Sequence, residues 1–242
     1  MITLEKLKNY QDQFDALNLE PLIIEARLHQ SVVIYDSIYL DNLLARAVIN
    51  YAGINTFEMN QSQCYELPIP CQSLWRSPDG FPLWATSVFI PVGDVFKDTL
   101  YLHKRLDKFE FSEKQPKSNV GRWVSRRMPK PIFQSETKRW QAFCIGNAEY
   151  IRELLKEIHG LGKHRNIGFG EVSEWSVDSW DGDAIDTIIQ DEKLTHALPE
   201  QAAHDLGFEI SAPTSLVGWT PPQWSPILFR MGWPIGTQAK RI

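Results

Sequence analysis

The sequence predicts an α+β fold whose core runs β-α-β-β-α-β, the ferredoxin-like order, interrupted by a long basic hairpin or loop. Three observations carry this. Helical periodicity occurs at 38–51 and again at 147–159, each flanked by stretches of extended character. Between them, 97–139 has no sustained period and holds twelve Lys or Arg against five acids. The 242 residues suffice to bury a large core without disulfide or metal.

The elements follow in chain order. Leu4, Leu7, Phe14 and Leu17 are spaced for a short N-terminal helix, which Pro21 ends. Residues 22–34 read as a strand through Ile24, Ala26 and Leu28, with a polar break at His29–Ser31. Leu40, Leu43, Leu44, Ala47, Val48 and Tyr51 fall on one face of a helix over 38–51, and Gly53 stops it. Prolines punctuate 54–96, leaving short strands at 64–69 and 83–90. The basic segment follows, with Pro116, Pro129 and Pro131. Residues 138–145 form a strand. The next helix, 147–159, has Asn147 as N-cap and Ile151, Leu154, Leu155 and Ile158 on its apolar face. A glycine-rich loop at 160–170 leads into an alternating strand at 171–177. Residues 181–207 read as acidic helical material, and the Pro- and Trp-rich tail as an irregular aromatic segment. The chain is expected to be one domain, with its core at about 20–95 and 138–180, the insertion at about 97–137 and a C-terminal extension over 181–242.

Composition removes several function classes. Apolar residues at 43% and charged residues at 23% belong to a globular chain, not a disordered one. Cys64, Cys71 and Cys144 lack CxxC spacing and a histidine cluster, so free thiols in a reducing compartment are expected rather than zinc. The first seventeen residues carry charges throughout and no apolar leader region. No stretch approaches about 18 apolar residues. A cytoplasmic protein without membrane contact is expected.

Charge is segregated. The chain carries −5 overall, but 97–139 carries +7 and the remainder −12. That points to one face built for a polyanion. A solvated loop would also be basic, but Phe109, Phe111 and Trp123 are interleaved with the charges, and single-stranded nucleic-acid binders stack bases on such rings. Lys104, Arg105, Lys108, Arg122, Trp123, Arg126, Arg127, Lys130, Lys138 and Arg139 are the candidate RNA contacts of this segment.

The loop at 160–170 supplies the others: Gly162, Lys163, His164, Arg165, Asn166, Gly168 and Gly170. It is not a dinucleotide fingerprint, because a helix precedes it and a strand follows. Nor is it a P-loop, since Lys163 is followed by His164. The helix C-terminus carries about half a negative charge and repels phosphate. Anion binding would rest on loop amides and the three basic side chains, with glycines admitting an RNA backbone. The same residues also suit a purely structural turn: Gly160 as a C′ cap, Lys163 against the helix dipole, Gly168 and Gly170 as a bulge.

From Gly160 to Val172 the loop reads GLGKHRNIGFGEV, with Trp175 following. This resembles the GxGKxRxxGFGxVxxW loop of the RAMP superfamily of CRISPR-associated proteins, whose cores are ferredoxin-like and RRM-like. Pro21-Leu22 entering the first strand and Tyr39 to Leu44 opening the first helix strengthen the likeness. The combination is similar to the Cas-five-type subunit of type IV CRISPR systems. The resemblance implies a subunit that caps the 5′ handle of the crRNA and contacts the backbone and large subunits of an effector complex. Such a subunit meets target DNA only indirectly, through the guide. It implies a binder rather than an enzyme, with no catalytic residue, metal or cofactor, and with 97–139 as its thumb-like element. The alternative is the related metal-independent crRNA-processing endoribonuclease, for which His29, Tyr35, His103 and His164 are the acid–base candidates. The acids Asp178, Asp181, Asp183 and Asp186 match a cation loop only loosely and read as a solvated face.

Overall fold

The computed structural model describes residues 2–54, 65–104, 126–223 and 225–241, with the side chains of 5–54, 65–101, 129–223 and 225–241. Helix α1 (Ile2–Asp15) buries Leu7 and Phe14. Strand β1 (Glu20–Leu28) buries Leu22, Ile24, Ala26 and Leu28 on one face, the period of two the sequence carries. After the polar break comes β2 (Val32–Val33). Helix α2 (Leu40–Tyr51) buries Leu40, Leu44, Ala47 and Val48. Tyr51, read as part of that stripe, is instead exposed at its margin. Gly53, at φ +60°, ends the helix.

The chain between α2 and the hairpin departs from expectation. No ladder forms within 65–69, where Pro68 and Pro70 lack an N–H to donate, and Cys64 lies outside the described residues. Pairing falls instead on β3 (Ser73–Arg76) and β4 (Pro82–Trp84). The strand expected over 83–90 is divided between β4 and β5 (Ile90–Pro91), with single bridges at Thr86–Cys144 and Tyr39–Val88 between them. Strands β6 (Val95–Lys104) and β7 (Arg126–Ser135) pair antiparallel along their whole length. The other edge of β7 pairs with β2. Then follow β8 (Arg139–Gly146), α3 (Ala148–Leu155) and β9 (Val172–Ser179).

Strands β5, β8, β1 and β9 form one antiparallel sheet in that order. Its apolar face shares a core with α1, α2 and α3. Asn147 caps α3 by accepting the Tyr150 N–H at 3.0 Å. The helix stops at Leu155, short of the expected 159, although Ile158 remains buried. The indole of Trp175 donates to Ile158 O at 2.9 Å, so this motif residue ties β9 to the helix exit.

Beyond β9 the expected helical stretch is mostly turns and short strands: β10 (Ile189–Gln190), β11 (Lys193–Leu194) and β12 (Leu198–Pro199). Only α4 (Glu200–Asp205) is helical there. The apolar residues of the stretch, Ile185, Ile188 and Leu194, reach the second core from turns and short strands rather than from one helical face, and Asp183 caps one of those turns. The tail is more regular than predicted. It forms β13 (Phe208–Glu209), β14 (Ser215–Gly218), β15 (Phe229–Trp233) and β16 (Lys240–Arg241), with β15 between β12 and β14. These elements surround a second core holding Leu83, Ile188, Leu198, Ala202 and Trp219. On β4, Leu83 belongs to this core and Trp84 to the first, so strand alternation joins the two. The architecture is α+β. Among the described residues no helix is long and apolar enough to cross a membrane.

Candidate functional site

The glycine loop is pinned to its own protein. Leu161 N donates to Gly170 O, Lys163 N to Val33 O and Gly170 N to Ser31 O, at 2.8, 2.9 and 2.9 Å. A Cβ on Gly162 would lie 2.5 Å from Val33 O, and one on Gly170 would fall on Leu161 O. Both have positive φ. These two glycines let the loop lie flat against β2, and the chain itself fills the space beside them. Gly168 is more open, with only the Gln30 side chain near its missing Cβ, at 3.8 Å. Gly160 is no helix cap, because Lys156 takes that position. Lys163 lies beyond the last turn of α3 and does not complement its dipole.

What the loop offers outward is side chains. Lys163, Arg165 and Asn166 are exposed and His164 is half-buried. The Lys163 ammonium lies 5.4 Å from the centre of the Tyr35 ring. The Lys130 ammonium, from β7, lies 5.4 Å from the same ring. Both fall within the range of cation–π attraction. The Tyr35 hydroxyl donates to Pro129 O at 3.4 Å, which holds the ring against the hairpin. Tyr35 remains 46% exposed. Glycine loop and hairpin, 33 residues apart in sequence at these lysines, therefore meet at one aromatic side chain.

The other predicted contacts are not gathered there. Lys138, at φ +56°, sits in the turn between β7 and β8, and Arg139, the first residue of β8, pairs with Glu25 at 3.5 Å. Lys104 and Arg126 form the last pair of the β6–β7 ladder, about 30 Å from its base at Val95–Ser135. The side chains of Lys104, Arg126 and Arg127 lie outside the described residues. Arg105, Lys108, Arg122 and Trp123 lie outside them altogether, as do Phe109 and Phe111. Of the acid–base candidates, His29 is exposed and the His103 side chain is not among those described.

Beside Tyr35 opens a cleft of about 690 Å³. Its walls come from the β2–α2 connection, α2, the glycine loop and the C-terminal unit. Lys163, Arg165 and Arg46 give it positive charge, and Asp36 is the carboxylate on its rim. Asn42 and Gln223 supply amides, and Tyr35 and Phe229 aromatic surface. Sequence reading missed Arg46 and Asn42 as contacts, although their spacing of four on the polar face of α2 was visible. Gln223 had no local signal.

Behind the cleft lies a buried network. Asp41, in the first turn of α2, and His196 are both fully buried, with Nε2 and Oδ2 3.2 Å apart. His196 Nδ1 donates to Ala197 O at 3.0 Å, since a carbonyl can only accept. Asp41 Oδ1 accepts from the Asn42 N–H at 2.6 Å and from Gln223 Nε2 at 2.9 Å. The Tyr39 ring meets His196 edge-on at 5.1 Å. Burial first, then the charges of Asp41 and Asp36, push the Tyr39 phenol well above its ordinary range, so it stays neutral.

The acidic loop is a hydrogen-bonded turn. Asp183 Oδ1 accepts from the Ile185 and Asp186 N–H groups at 2.7 and 3.0 Å. Burial raises its carboxyl, but these bonds and Arg241 together bring it below the usual range. Among the described residues no three or more His, Cys, Asp or Glu are placed to hold a metal.

Fold and surface thus define a class: an α+β chain with a cationic, amide- and aromatic-lined cleft at the foot of a two-stranded arm. Residues 122–203 match the model of a family described as CRISPR type IV associated protein Csf3. The match spans about a third of the chain, from the end of the basic segment through β7, β8, α3, the glycine loop and β9 into α4. Over that stretch the chain is similar to a type IV CRISPR-associated protein. No curated protein matches the chain.

Proposed function

We propose that this chain is the RNA-binding subunit of a type IV CRISPR effector complex, holding the 5′ handle of the crRNA without cleaving it. The likeness to the Csf3 family supports the complex; RNA as the ligand rests on the surface. The strand order of the main sheet, second-third-first-fourth of a β-α-β-β-α-β unit, supports a ferredoxin-like core, and the long pairing of β6 with β7 supports reading them as its thumb-like arm.

One observation carries the reading: Lys130 of the arm and Lys163 of the glycine loop converge on the exposed ring of Tyr35. Two ammonium groups beside an accessible aromatic ring suit a phosphate backbone with an unstacked base.

The test is a labelled guide-RNA precursor mixed with the full chain in the absence of metal, on native and denaturing gels side by side. A native shift with intact RNA is expected. Replacing Lys130 and Lys163 together by Ala should lower the slope of log affinity against log salt by about 1.4, roughly 0.7 per lost contact on a single strand. An unchanged slope removes these two lysines from the interface. Discrete cleavage that disappears on replacing His29, His103 or His164 would make the chain a processing endoribonuclease instead.

A further inference from the structure

Strand β7 is the middle of a three-stranded sheet, with β2 on one side and β6 on the other. Its register sorts the side chains by face. Val32 lies in the main core, and Phe133, directly opposite it, packs against that core. Val33, Ile132 and Asp98 are level with one another and therefore share the other face. So do the cross-strand pairs Lys130 with Leu100 and Gln134 with Phe96. The Ser31 hydroxyl donates to Gln134 Oε1 at 2.9 Å, and the Lys130 ammonium reaches the Tyr35 ring, so the chain at both ends of β2 joins this face. At its centre Val33 is buried and Ile132 half-buried. Towards its ends the apolar side chains are open: Leu100 is exposed like Tyr35, and Phe96 is 63% exposed. Single exposed apolar residues are ordinary, but a run of them on one sheet face marks a contact surface.

Charge on this face is one-sided. Lys130 and Lys163 flank Tyr35, whereas the acid, Asp98, stands on β6, where its carboxylate accepts the Thr99 N–H at 2.6 Å. A phosphate chain is attracted to the β2 and β7 side and repelled from β6. Phe96 lies four residues along β6 from the level of Lys130 and two strands across from β2. At ordinary strand spacings that is about 13 Å along and about 10 Å across, or about 16 Å from the Tyr35 end.

We propose that this face is a stacking platform for single-stranded RNA, with one base on Tyr35 and a second on Phe96. The phosphates follow the lysines, and the bases turn towards β6 over Leu100 and Ile132. Stacked neighbours lie only about 3.4 Å apart, so the two rings take bases that are not adjacent in the chain. Every base offers a π face, so the platform holds RNA without choosing its sequence. A protein partner would also cover apolar side chains. The strip, however, runs unbroken into the two lysines at Tyr35, which suits a polyanion carrying flat apolar groups.

This inference rests on the RNA reading, and the experiment separates the two. Guide-RNA precursors carrying a single abasic nucleotide at each position of the 5′ handle in turn are bound to the unaltered full chain. Two positions, not next to each other, should each lose about tenfold in affinity. Phe96→Ala should weaken the intact RNA by about the same factor at an unchanged salt slope, and erase the sensitivity at one of the two positions. Phe96→Tyr, which keeps a ring, should bind like the native chain. A single sensitive position, two adjacent ones, or native binding by Phe96→Ala overturns the platform and leaves RNA binding standing, with the strip then free for a protein contact. No shift with any RNA overturns both. The abasic series uses the unaltered protein, so a folding defect in Phe96→Ala does not decide the result.

Discussion

Cys71 and Cys144 lie against each other in the main core, both buried and unoxidised. Burial, and then the hydrogen bond with Cys144, push the Cys71 thiol well above its ordinary range. A thiolate, not a thiol, attacks alkylating reagents. Buried from the reagent, both should stay unlabelled by iodoacetamide in the native protein and react only in denaturant; mass spectrometry of the two peptides reads this directly. Asp41 and His196 pose the opposite case, a buried polar pair with every facing group engaged. Removing one partner strands the other away from water. His196→Ala should cost about 3–5 kcal/mol in urea unfolding, the range for breaking a buried pair. A loss below about 1 kcal/mol would mean that Asp41 is compensated by other contacts.

Among the elements, α3 shows how little sequence a short helix needs when its ends and stripe agree. Asn147 caps it, Glu149 sits in its first turn and Arg152 in its last, and Ile151, Leu154 and Leu155 are buried. Burying each of those three contributes about 1.5–3 kcal/mol, more than eight residues of intrinsic propensity could supply. Asn147→Ala should lower stability by about 1 kcal/mol from the lost cap, and somewhat more because Asn147 Nδ2 also donates to Asn18 O at 3.0 Å. A fall in the urea midpoint at unchanged m value is the expected signature. The glycine loop is the contrasting element. Its basic side chains were visible as a cluster, but two of its glycines serve β2 rather than a ligand, which only the approach of Val33 and Leu161 discloses.

At the scale of the molecule, β3 is drawn from the middle of the chain into the second core: the Trp75 indole packs against that core and donates to Asp205 Oδ2 of α4 at 2.8 Å. That bond, with a smaller contribution from His204, holds the Asp205 carboxyl below the ordinary aspartate range. A lowered folded-state pKa means the charge contributes stability above the ordinary aspartate value. That contribution is lost as pH falls through the lowered value. Asp205→Asn should therefore be less stable than the native sequence at about pH 6, and the gap should narrow as pH falls below the ordinary aspartate value and close only once it has passed the lowered one. A gap of equal size throughout that range would show that the indole bond, rather than the charge, does the holding.

Much of the main core was legible in the chain. The alternation of Leu22, Ile24 and Ala26, the stripe from Leu40 to Val48 and the Asn147 cap are local patterns, repeated within a few residues and set by backbone geometry. The segregated charge and the GLGKHRNIGFG loop were equally local, and pointed to a polyanion and to a type IV CRISPR family. What could not be read was every feature made by residues far apart in sequence. The β strands of the C-terminal unit are too short to show a period, and they exist because partners such as Leu216 and Met231 meet across the fold. The meeting of Lys130 and Lys163 over Tyr35, and the line from His196 through Asp41 to Gln223, depend on the same closure. Periodicity is a property of neighbours along the chain. A cleft is a property of neighbours in space, and it comes into being only when burial of the two cores brings its walls together.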